Sequence, residues 1–155
     1  MDVRFVNSFL EGTISVLETM AHVTPKPGNP YLKKSRAAGG DVSGIIGLTG
    51  AVTGSLALSF SEKAILKIVS NMLGEEITEI NDDIEDAVGE ITNMVSGVAR
   101  KKLESLGFNV TSAIPTVVAG KNHTIHHVLG GPSIIIPFET EDGPFVVDVS
   151  MIGTE

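Results

Sequence analysis

The chain has 155 residues, with 19 acidic and 11 basic side chains and a formal net charge of −8. That length fits one compact domain with a real core, expected to span residues 1–155. The charge argues against nucleic acid as a partner, because phosphate binding needs an excess of Lys and Arg, and the lack of cysteine excludes disulfides, thiolate metal sites and a Cys nucleophile.

The opening residues, Met1-Asp2-Val3-Arg4-Phe5, mix charge with apolar side chains and lack the basic and apolar regions of a signal peptide. No stretch reaches the roughly 18 apolar residues of a membrane span, so a cytoplasmic protein with no membrane partner is expected. Val6, Phe9, Leu10, Thr13, Ile14, Leu17 and Met20 recur at helical spacing and predict an amphipathic helix over about 4–21. From Thr24 to Asp41, Pro25, Pro27, Pro30 and the Gly39-Gly40 pair predict an irregular or extended arm or edge segment. It carries Lys26, Lys33, Lys34 and Arg36.

Residues 43–48 and 52–60 read as two strands of a hairpin, broken at Thr49-Gly50-Ala51. Ser61 then caps a helix that Gly74 ends. After a polar run from Glu75 to Asp83 comes the longest helix, about 84–106, stopped by Gly107. Three strands follow, at 109–118, 133–140 and 145–151, the last two joined through Glu141-Asp142-Gly143. Pro137 lacks a ladder donor, so its strand should lie at an edge or a bulge, or be paired unusually. This order lacks alternating βαβ units and predicts an α+β fold, with long helices packed on one face of a mostly antiparallel sheet.

The long helix carries most of the functional information. With 100° per residue, Ile84, Val88, Ile91, Val95, Val98 and Leu106 form one apolar stripe, with Leu103 at its rim. Asp86, Glu90, Asn93 and Gly97 fall on the opposite side, at about 180–240° from Ile84. An ordinary solvated face would explain the charges, but not the asparagine, which gains nothing in mid-helix unless its amide has a task. Gly89 and Gly97 flank Asn93 at four residues on either side, and each costs roughly 1 kcal/mol relative to alanine. Two such costs point to something large that approaches Asn93 closely, and a convex helix face suits a partner surface better than a small ligand.

Asp86-x-x-x-Glu90-x-x-Asn93, followed by Pro115 with 21 residues between, resembles the signature of the CheC/CheX/FliY phosphatases. Similarity extends to Gly40-Asp41-Val42-Ser43-Gly44-Ile45-Ile46-Gly47, Asn71-Met72-Leu73-Gly74, Pro115-Thr116-Val117-Val118 and Pro137-Phe138-Glu139-Thr140. A single Glu-x-x-Asn helix is similar to the CheX branch, where CheC-type members usually carry two. The resemblance implies a phosphatase that hydrolyses the aspartyl phosphate of a CheY-like response regulator in chemotaxis. Asn93 would orient the attacking water and Glu90 would pair with the partner's active-site lysine. Asp86, Gly89, Gly97 and Pro115 would frame the partner contact. It further implies a homodimer, for which the apolar C-terminal strands are plausible pairing surfaces, and Mg²⁺ supplied by the partner, with no cofactor or metal held by this chain. The competing reading is a non-catalytic module that docks a receiver domain or a flagellar switch component. The intact Glu90 and Asn93 pair favours the enzyme, because docking alone has no use for a water-orienting amide.

Other patterns carry less. His123-x-x-His126-His127 could offer two or three nitrogens to zinc, but no acidic residue or Cys is close in sequence to complete a site. The glycines from Gly39 to Gly54 lack the G-K-[ST] ending of a phosphate loop, and sheet turns and close packing account for them better. Ser and His residues are too scattered in sequence to nominate a triad.

Overall fold

The hairpin around Gly50 is the centre of the fold. A computed structural model describes residues 3–33, 39–125 and 133–153. Helix α1 spans Val3–Ala21, and two short strands follow, β1 (Lys26–Pro27) and β2 (Tyr31–Leu32). The hairpin is β3 (Gly39–Gly50) and β4 (Val52–Phe60), and helices α2 (Glu62–Leu73) and α3 (Asp82–Ser105) come next. Strands β5 (Val110–Ser112), β6 (Thr116–Thr124), β7 (Ser133–Thr140) and β8 (Gly143–Gly153) complete the chain.

Every pairing among these strands is antiparallel, in the order β1-β7-β8-β4-β3-β5, with β2 also on β7 and β6 also on β3. One face of this sheet and all three helices share a single core. Val42, Ile46, Leu56, Leu58, Val147 and Val149 pack there with Phe9, Leu17, Ile65, Val88 and Ile91. Facing pairs bring three rings together across neighbouring strands, Phe60 to Phe145 at 5.1 Å and Phe145 to Phe138 at 4.9 Å. The expected α+β architecture is therefore present, and its apolar payload comes from small and β-branched residues around one cluster of phenylalanines.

Local sequence explains the helix ends. Ser61 Oγ accepts from Ala64 N and Gly74 takes φ 70° as the C-cap of α2, as its sequence position predicts. Helix α3 begins two residues earlier than expected, because Asn81 caps it through Ile84 N at 3.0 Å. It also ends one residue sooner. Leu106 is its C-cap and is 45% exposed, so it does not belong to the buried stripe, while Gly107 turns away at φ 93°.

Two expectations about edges are resolved. Strand β7 is not itself the edge, since β1 and β2 lie along its outer side. They are interrupted opposite Pro137, whose carbonyl accepts from Gly28 N at 2.8 Å on that side. In a strand, a residue's N and O point the same way, so the missing N–H of Pro137 faces the gap between β1 and β2. The suggestion that the C-terminal strands serve as free pairing surfaces does not survive. Strand β8 is held between β4 and β7, and β7 is covered by β1 and β2.

The sheet's other face is polar at its centre. Ser43 Oγ and Ser59 Oγ are 2.7 Å apart, and the buried Asp148 pairs with Lys33 Nζ at 2.9 Å. Lys33 Nζ also donates to the Ile125 carbonyl at 2.6 Å. A buried carboxylate is tolerable only with such partners, so Lys33 ties the end of the β1–β2 segment to the middle of the sheet.

Candidate functional site

Helix α3 lies on α1 and against the β3–β6 edge of the sheet, and two close approaches fix it there. At Gly44 in β3, any Cβ would overlap Thr92 Oγ1 and come within 3.0 Å of Thr92 Cβ. Thr92 is fully buried and donates to the Val88 carbonyl at 2.7 Å. On the other side, a Cβ at Gly12 of α1 would stand 3.4 Å from Ala99 N and from Val95 O. Gly44 lets the helix sit closer to the strand than any side chain would allow, while α1 packs on α3 at ordinary contact distance through Gly12. Ile84, Val88, Ile91 and Val95 are thereby completely buried.

The face turned away from this packing holds the residues singled out by the sequence. Asp86, Glu90 and Asn93 are all exposed, on successive turns where i, i+3 and i+4 side chains are neighbours. Among the described residues, none of the three takes part in a side-chain hydrogen bond or an ion pair. The carboxylates and the amide are thus presented outward, unengaged, on a rigid 24-residue helix.

The two glycines that flank Asn93 have different surroundings. Gly97 is open: a Cβ there would meet only the Arg100 guanidinium, at 3.9 Å. Gly89 is half-buried, and its Cβ would touch Val117 Cγ2 at 3.4 Å. That is an ordinary contact distance which an alanine would tolerate, so packing against β6 does not by itself account for Gly89, and both glycines flank Asn93 as the helical wheel places them.

Pro115 stands beside the helix in the connection from β5 to β6. Near one end of this connection Val117 meets Gly89; near the other, Asn109–Thr111 and Gly97, Arg100, Lys101 and Glu104 line a cavity of about 440 Å³. Asn93, one turn from each glycine, is therefore level with the Ala113-Ile114-Pro115 segment. Ile114, at 88% exposed, was not singled out by sequence reasoning. Its position next to Pro115 was the available signal. Two larger cavities, of 1050 and 560 Å³, lie around His22, α2 and the β7–β8 turn, and none of the α3 face residues lines them.

The structure also joins residues that the sequence kept apart. Ser43 Oγ lies 2.5 Å from His123 Nε2, and His123 Nδ1 lies 2.7 Å from the Gly120 carbonyl. The carbonyl fixes a proton on Nδ1, so Nε2 accepts from the serine. Ser43 is completely buried and out of reach of a substrate, which makes this pair a structural tie between β3 and β6. His126 and His127 lie outside the described residues, and no metal-binding cluster is found among the described ones. Among the described residues, no helix is long and apolar enough to cross a membrane.

Residues 42–139 match the family model described as chemotaxis phosphatase CheX. The CheY-P phosphatase CheX of Thermotoga maritima is 35% identical over 123 residues, 79% of each chain. A CheC-like superfamily protein from Shewanella sp. PV-4 is 45% identical and superposes with a TM-score of 0.94, covering 99% of this chain and 100% of that one. CheX of Borrelia burgdorferi, solved with CheY, BeF3 and Mg²⁺, is 27% identical with a TM-score of 0.80, covering 95% and 97% of the two chains. With the family model matched over residues 42–139 and the α3 face in place, the chain belongs to the chemotaxis phosphatase CheX family.

Proposed function

We propose that the protein hydrolyses the aspartyl phosphate of a phosphorylated, CheY-like response regulator, using the outward face of α3. The observation that carries the reading is the pairing of an unengaged carboxylate, Glu90, with an unengaged amide, Asn93, on one rigid face of a chain of this family. An acyl phosphate is already activated. What its hydrolysis needs is a water held in line with the bond that breaks, more than a strong base. Asn93 supplies that constraint: its carbonyl oxygen accepts from the water and its NH₂ donates to a neighbouring acceptor. The water oxygen then bonds to phosphorus, the bond to the aspartyl oxygen breaks, and the regulator's carboxylate departs with the electron pair. The water's protons remain with the inorganic phosphate and the solvent.

Glu90 is a poor base for this step and would repel phosphate if it stood alone. Its role is to pair with the lysine beside the regulator's phosphorylation site, which sets the helix in register. Mg²⁺ belongs to the partner's site and compensates charge on the phosphoryl oxygens when bound there. Asp86, Gly89, Gly97 and Pro115 border the docking face. We further propose that the protein works in the cytoplasm as a homodimer. Since the edges of β7 and β8 are occupied, the dimer uses another surface, and light scattering of the purified chain tests its existence.

The reading is tested by following phosphate loss from a Mg²⁺-loaded, phosphorylated receiver with and without the protein. Catalytic acceleration supports it. Binding without acceleration would instead leave a docking module.

A further inference from the structure

Strands β5 and β6 form one outer strand along β3 with a fault in it. Ser112 faces Leu48 and Ala113 N donates to the Gly47 carbonyl at 3.0 Å, but the next pair is Thr116 with Ile45. Over this step the outer strand uses one residue more than β3, which defines a bulge at Ile114-Pro115. Pro115 has no N–H for the ladder and a fixed φ, so it holds the fault in place. Both sides of the bulge are pinned by strand pairing.

The product of this geometry is Ile114. At 88% exposed it is the most exposed large apolar side chain among the described residues. It stands in the connection between β5, whose start lines the cavity at Gly97, and β6, whose Val117 meets Gly89, and is therefore level with Asn93. An isolated exposed aliphatic residue is ordinary on a protein surface. One that is projected by a proline-enforced bulge, level with an unengaged amide, is preorganised for contact. We propose that Ile114 is an apolar anchor that inserts into a recess on the receiver surface bordering the phosphorylated aspartate. The inference rests on the reading of the α3 face as the receiver-docking surface, with which Ile114 is continuous. Pro115 then acts as a positioning residue through Ile114, with no part in the chemistry.

The test is an affinity measurement with a receiver held in its active form by Mg²⁺ and beryllofluoride, combined with turnover of the phosphorylated receiver. Ile114→Ser is expected to weaken binding about tenfold, in line with one aliphatic side chain left uncovered. Turnover at saturating receiver should stay within about twofold of native, because no reacting atom is touched. Leu106→Ser, at a comparably apolar but distant site past the end of α3, should change neither quantity. Native affinity in the Ile114→Ser protein, with native turnover intact, overturns the anchor alone. The anchor is equally overturned if Ile114→Ser changes the oligomeric state and leaves affinity for the receiver unaltered. Failure of the native protein to bind or dephosphorylate any receiver refutes the parent reading.

Discussion

Gly44→Ala tests how the sheet positions helix α3. Two effects of opposite sign compete. Replacing a strand glycine by alanine removes freedom from the unfolded chain, a gain of about 0.4–1 kcal/mol where the folded backbone accepts it. Here the new Cβ overlaps Thr92 Oγ1 and comes within 3.2 Å of Val88 Cγ1. Overpacking of this kind costs about 1–3 kcal/mol, so the overlap wins and a net loss of about 1–2 kcal/mol is expected. For a domain of this size that lowers Tm by roughly 2–8 °C. Thr92→Ala removes the overlapped hydroxyl and should restore about half of the loss in the double variant, a coupling that a double-mutant cycle reads directly. Turnover should fall further than stability does, because Asn93 follows Thr92 on the helix and small misplacements at a reacting centre are costly. Urea denaturation of the four proteins measures the stability terms. A Gly44→Ala protein as stable as native, or a double variant no better than Gly44→Ala, refutes the reasoning.

Gly97→Leu should raise stability by up to about 0.8–1 kcal/mol, since a good helix former replaces glycine in open space, while receiver affinity falls at least about tenfold; unchanged binding would remove the close-approach role. Glu90→Gln should raise the KM for phosphorylated receiver and flatten its dependence on salt, because a charge pair with the partner's lysine is lost. A salt dependence identical to native would contradict that pairing.

The ends of α2 and the apolar stripe of α3 were legible because caps and apolar periodicity act locally, whereas the Asn81 cap of α3 was not read. Ser61, Gly74 and the Ile84-Val88-Ile91-Val95 stripe each make their case within a few residues. The face carrying Asp86, Glu90 and Asn93 was legible for the same reason. What the sequence left hidden depends on contacts between distant segments. The reason for Gly44 is Thr92, a partner that cannot be found from spacing. Ser43 and His123 meet only because β6 runs along β3 beyond the bulge. The placement of β7 inside the sheet was equally invisible, since two-residue strands such as β1 and β2 leave no periodic signal.

The role of the Asn93 amide is tested most directly by comparing native and Asn93→Ala proteins on one phosphorylated, Mg²⁺-bound receiver, with affinity measured separately on the beryllofluoride form. Loss of essentially all acceleration, with affinity within about twofold of native, is the expected result. Native turnover in Asn93→Ala would contradict the mechanism, and so would a loss of turnover that merely follows a loss of binding.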